Sequence, residues 1–113
     1  MSDVKHSVVR EITDATFAAE VEAHRGAAVV DLWAQWCGPC RVLGPIVDDL
    51  ARDFDGRVKV GKLDIDANPE TAERFNVRSI PTLLFFRDGK LVDAVVGLRS
   101  KTDLASRLER LAA

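Results

Sequence analysis

Tyrosine is absent from this 113-residue chain, methionine occurs once, and cysteine and histidine occur twice each. Two cysteines are too few for a secreted disulfide scaffold, a class that is cysteine-dense. The histidines, His6 and His24, stand at no recognisable ligand spacing, so the donors of a structural zinc site are hard to assemble. No charge sign dominates: 16 basic residues against 18 acidic ones leave a net charge of -2. That balance gives no footprint for nucleic acid or anionic lipid. The apolar stretches "GAAVVDLWA" and "PTLLFF" are far too short to span a bilayer. The opening "MSDVKHSVVREI" carries charges where a signal peptide needs its apolar core, so a soluble cytoplasmic protein is expected.

What is present is ordinary globular composition, 47% hydrophobic and 30% charged. The length fits one domain, residues 1–113, able to hide roughly two-thirds of its unfolded surface. Val8–Ile12 reads as a first strand, and Asp14 or Thr16 can cap a helix that presents Phe17, Val21 and Ala18. Ala27–Trp33 is a near-continuous apolar run, as expected of a strand covered on both faces. Pro39 suits the first turn of the next helix, because its missing N–H would be unpaired there anyway. Val42, Leu43, Ile46, Val47, Leu50 and Phe54 continue at helical spacing, with Pro45 expected to kink the helix. The mixed charges of Asp48, Asp49, Arg52, Asp53, Asp55 and Arg57 read as a solvated face. Val58–Ile65 is a strand in which Gly61 is an unexplained local cost. Asn68-Pro69-Glu70 opens a short helix to about Phe75. "SIPTLLFFR" is a strand, Asp88-Gly89 a hairpin turn and Leu91–Val96 the return. Ser100 caps a last helix whose buried stripe is Leu104, Leu108 and Leu111. The pattern is an α/β fold. Its central sheet is mixed, parallel at the helical crossovers and antiparallel at the hairpin, with helices on both faces.

Both cysteines fall in "WCGPC", at Cys37 and Cys40, where a strand feeds a helix. Three positions apart on a helix, their Cβ atoms stand about 5–6 Å apart, and a small adjustment closes a disulfide. The helix N-terminus favours thiolate at Cys37, and thiolate is the attacking species in thiol–disulfide exchange. Cys40, further in, is better placed to resolve a mixed disulfide. Gly38 permits close approach of a partner chain, and Pro39 stiffens the ring. A zinc half-site lacks ligands, and a purely structural staple over so short a loop restrains the unfolded chain weakly. A redox couple meets neither objection.

"WCGPC" after a strand containing Asp31, "KLDIDANPETAERFNV", "RSIPTLLFF" and "VVG" before the last helix together resemble thioredoxin, from Val8 to the C-terminus. The resemblance implies the thioredoxin fold, about five strands flanked by about four helices. It implies a protein-disulfide reductase with no metal and no bound cofactor. The implied partners are disulfide-bearing proteins and a flavin-dependent thioredoxin reductase using NADPH, and a monomer is expected. Asp31, which from its residues alone is either a solvated or a buried strand acid, matches a buried family acid that relays a proton to or from the second cysteine. Lys62, either exposed or with its stem along a buried face, matches the lysine near that acid. Ile80-Pro81 matches the cis-proline loop beside the disulfide, where the Ile80 backbone can pair with an extended substrate. Trp36, Gly38, Pro39, Ile80, Pro81 and Gly97 then form the substrate-docking surface.

Departures from the family pattern are mild. Phe75 stands where many relatives have Tyr, Ser79 replaces a common Gly, Gln35 a common Glu or Pro, and Arg41 a common Lys. None removes a catalytic group. A histidine between the cysteines, usual in oxidase or isomerase relatives, is absent. A further alternative is a binding module that serves in a larger complex without turning over.

Overall fold

The computed structural model describes residues 8–113. Five strands form one sheet: β1 (Arg10–Glu11), β2 (Ala27–Trp33), β3 (Val58–Asp64), β4 (Thr82–Arg87) and β5 (Lys90–Val96), in the order β1-β3-β2-β4-β5. β3 runs parallel to β1 and β2, while β4 is antiparallel to both β2 and β5. Three α-helices, α1 (Gly38–Asp53), α2 (Pro69–Arg74) and α3 (Lys101–Ala112), join a single π-helical turn at Ala18–Glu22. The mixed sheet with helices on both faces is the architecture read from the sequence.

Alternation along β2 divides the core in two. Ala27 and Val29 face Leu43, Val47 and Leu50 of α1 and Leu104 and Leu108 of α3. Ala28, Val30 and Leu32 face Phe17, Val21 and Ala72 on the other side. A strand apolar at nearly every position is therefore covered twice. On this second face Phe75 and Phe86 meet the Phe17 ring at centroid distances of 5.4 and 5.7 Å.

Several elements differ from the reading of the sequence. The first strand shrinks to Arg10–Glu11, because this edge is held only by β3; residues 8 and 9 form a bend, with Val8 and Val9 half-buried against the core. Asp14 caps no helix of its own. Its carboxylate accepts hydrogen bonds from the Glu70 and Thr71 amides (3.1 and 2.9 Å) and the Thr71 hydroxyl (2.7 Å), capping α2 from a distance. Asn68 makes no side-chain cap of α2; its Oδ1 accepts from the Asp14 amide at 2.8 Å. Val42, at core spacing, is exposed.

Two glycines are explained by close approach. A Cβ at Gly61 would lie 2.5 Å from Ile12 Cγ1, so glycine in β3 makes room for the Ile12 side chain packed over it. At the hairpin, Asp88 and Gly89 both take positive φ (51° and 82°), as a tight primed turn requires. A Cβ on Gly89 would also stand 2.1 Å from the Glu22 carbonyl oxygen.

Candidate functional site

β2 delivers the chain to the cysteine loop at the carboxyl end of the sheet. Cys37 is the N-cap of α1, its amide donating to Ala34 O at 3.1 Å. Its Sγ accepts the Cys40 amide at 3.2 Å, taking up one of the N–H groups a helix start leaves unpaired. Pro39 occupies the first turn and gives up no needed donor. Cys37 and Cys40 are joined as a disulfide with Cα atoms 5.3 Å apart, and both residues are buried, packed with Ala34 against Trp33, Ile65 and Ile80. Gly38 and Pro39, between them, are exposed.

The loop is tied at its rim. Arg41 donates through Nε and Nη2 to the Gln35 carbonyl (3.2 and 2.8 Å), bridging the residues that flank the motif. Trp36 is 66% exposed, yet its Nε1 donates to Asp66 Oδ2 at 2.9 Å, which fixes the indole on the surface. Trp33, by contrast, packs beside the cysteines.

Antiparallel pairing of β2 with β4, Leu32 opposite Thr82, brings the residues before β4 to the same end of the sheet. The Ile80-Pro81 peptide is cis, and the Ile80 carbonyl oxygen lies 3.7 Å from Cys37 Sγ. The Gly97 amide donates to Pro81 O at 2.8 Å, joining the segment after β5 to the same rim. Trp36, Gly38, Pro39, Ile80, Pro81 and Gly97 thus gather around the disulfide. Val42, Val96 and Leu98 add exposed apolar surface. Helical spacing places Val42 toward the core, where the structure does not put it, and Asp66, 30 residues from Trp36, leaves no signal in the sequence.

Asp31 lies on the β2 face that carries Val29 and is only 1% exposed. Its Oδ1 has no hydrogen-bond partner. Around it, Val47 and Leu50 of α1, Leu83 of β4 and Leu108 of α3 line a void of about 10 Å³. Burial, opposed by Lys62 and helped by Asp48, pushes the Asp31 carboxyl up to about 7. Lys62 is the β3 residue paired with Asp31 in register, but its ammonium forms its ion pair with Asp48 Oδ1, at 3.0 Å. Among the described residues no three His, Cys, Asp or Glu side chains cluster as metal ligands, and His6 lies outside them.

A closable cysteine pair at the first turn of a helix, set on this mixed sheet beside a cis-proline loop, defines a dithiol–disulfide oxidoreductase. The thioredoxin family model matches residues 8–110. Thioredoxin 1 of Synechococcus elongatus is 48% identical over 104 residues, covering 92% of this chain and 97% of that protein. The thioredoxin of Synechocystis is 47% identical over the same span, and that of Staphylococcus aureus 47% over 100 residues, 88% of this chain and 94% of the relative. The chain belongs to the thioredoxin family. It is a protein-disulfide reductase working through a reversible Cys37/Cys40 dithiol–disulfide couple, with disulfide-bearing proteins and a reductase as its general partners.

Proposed function

We propose that Cys37 is the attacking cysteine, Cys40 the resolving one, and Asp31 the group that takes the proton from Cys40. The Cys37 thiolate attacks one sulfur of a substrate disulfide, forming a mixed disulfide as the substrate's second sulfur leaves as thiolate. Cys40, deprotonated to Asp31, then attacks Cys37 Sγ and releases the other substrate sulfur. Two electrons pass to the substrate, whose two sulfurs leave as thiolates and take up protons from water or from protonated Asp31, and the protein is left with its Cys37–Cys40 disulfide. One observation carries the assignment: Cys37 Sγ sits on the helix N-terminus and accepts the Cys40 N–H at 3.2 Å, an environment that favours its thiolate. Support for Asp31 is its burial and a pKa raised to about 7, where a carboxyl can both accept and return a proton at neutral pH. Lys62 modulates that carboxyl electrostatically.

Trp36, Gly38, Pro39, Ile80, Pro81 and Gly97 are proposed to receive an extended substrate segment, with the Ile80 backbone pairing to it. The chain is proposed to act as one domain and as a monomer, in the cytoplasm, re-reduced by a flavin-dependent thioredoxin reductase using NADPH. The test is trapping. Cys40→Ser protein exposed to oxidised substrates accumulates mixed disulfides, whereas Cys37→Ser protein accumulates almost none. Equal trapping by both variants overturns the order of attack.

A further inference from the structure

We propose that Asp48 is a positioning residue for this redox couple: it holds the Lys62 ammonium off Asp31 and so governs proton exchange at Asp31. The consequence for turnover rests on the proton-relay reading of Asp31 above; the electrostatic arrangement itself does not.

Lys62 and Asp31 are register partners on adjacent parallel strands, and both side chains fall on the face covered by α1. A lysine stem is long enough to serve either carboxylate. The ammonium pairs with Asp48, and Asp31 Oδ1 is left without a partner. Solvation accounts for the choice. Asp48 is 44% exposed and Lys62 25%, so their pair keeps contact with water. Asp31 is 1% exposed, and an ammonium drawn to it would lose solvent among apolar side chains. The surface of α1 is shaped for the outer position. Gly44 lies one turn before Asp48, and its missing Cβ would stand 3.6 Å from Lys62 Nζ, so the ammonium rests against bare helix beside the Asp48 carboxylate.

The charges facing Asp31 are few. β3 contributes Lys62 and α1 contributes Asp48, whereas β4 and α3 present only apolar Leu83, Phe85, Leu104 and Leu108. Asp48 therefore acts on Asp31 in two ways, by direct like-charge repulsion and by occupying Lys62. Glu11, the β1 residue paired with Lys62, is a further carboxylate on this face, and it is exposed. The second effect is the larger under this proposal, because a released ammonium can move inward toward its β2 register partner Asp31.

The experiment follows the Asp31 carboxyl carbon by NMR titration in the full chain, for wild type, Asp48→Asn, Lys62→Met and the double variant. In Asp48→Asn the Asp31 midpoint falls by roughly one pH unit, as a closer opposite charge dictates. In the Lys62→Met background the same substitution lowers it by less than half as much. An unmoved midpoint in Asp48→Asn overturns the proposal. So does an equal fall in both backgrounds, which would mean that Asp48 acts by direct repulsion alone. Reductase rates against pH, measured on the same variants, separate this inference from the relay: a midpoint that moves while the rate profile stays fixed upholds the Asp48–Lys62 arrangement and removes Asp31 from the resolving step.

Discussion

With its pKa raised from 3.8 to about 7, Asp31 keeps a proton in the folded chain that the unfolded chain has already released across that interval. Folding then takes up a proton, and stability falls as pH rises from the lower value to the upper, by roughly 1.4 kcal/mol per pH unit. Below 3.8 both states are protonated and the penalty is absent; above about 7 both are ionised and it is complete. Asp31→Asn, close to isosteric, is therefore expected to be more stable than wild type at pH 8, by up to about 4 kcal/mol. The gain shrinks on the way to pH 4. Asp31→Ala follows the same trend with a smaller gain, because truncation enlarges a void in the core. Denaturant melts at both pH values check the sign, and a destabilised Asp31→Asn at pH 8 contradicts it. Single-turnover rates on the same samples are expected to fall if Asp31 relays the proton. The position of Asp31 among apolar residues was legible in "AAVVDLW", and so was its shared side with Val29. Its depth was not, because a charge in a strand fits both a wet edge and a buried centre, and only the seating of α1 and α3 over β2 decides between them. The partner of Lys62 was hidden for a similar reason, since Asp48 read simply as one of a run of solvated helix charges.

At the scale of elements, the cap of α2 shows how a local rule yields to a tertiary one. Asn68-Pro69-Glu70 has the composition of a self-capped helix start, and the helix does begin at Pro69. The capping carboxylate comes from Asp14, more than fifty residues earlier in the chain, where the sequence suggested a cap for a different helix. Asp14→Ala is expected to cost about 1–2 kcal/mol, since it strips a helix cap and leaves the Thr71 hydroxyl without its acceptor. Burial alone would raise the Asp14 pKa, but the Thr71 hydroxyl and the Thr71 and Glu70 amides outweigh it and hold it below 3.8. Its contribution is thus present above 3.8 and lost as pH falls through the lower folded value. Urea melts of the two proteins are accordingly expected to differ at pH 7 and to converge in strong acid; an equal gap at both extremes contradicts the assignment. β2, β3, β4, β5, α1 and α3 were all readable from period and punctuation, because in each the pattern of apolar residues is decided within the element. β1 was read in the right place but too long, as Val8–Ile12, because two residues on a one-sided edge are held by what they lie against rather than by any pattern of their own. The same limit applies to Val42, whose helical spacing is correct but whose side chain is exposed.

The described residues have a Cα radius of gyration of 13.1 Å, close to the value of about 13 Å expected for a compact chain of this length. Small-angle scattering at rising concentration is expected to hold near that value if the chain is monomeric, and a radius that climbs with concentration refutes the monomer. Among the described residues no helix is long and apolar enough to cross a membrane. The register of β2 against β4 has a further consequence. Leu32 opposite Thr82 fuses the cysteine loop and the Ile80-Pro81 segment to the central strand β2 and its interior neighbour β4, and Gly97 is hydrogen-bonded to the same rim. The groups proposed to meet a substrate therefore arrive already ordered, and association asks for little loss of freedom on this side. The cost of ordering falls on the other party. A disulfide held in a rigid, well-packed target must first be peeled from its own structure to lie along this rim, whereas one in a frayed or partly unfolded segment need only settle. Selectivity of this kind ranks substrates by how loosely they hold their own disulfides, and it can operate with no side-chain code at all.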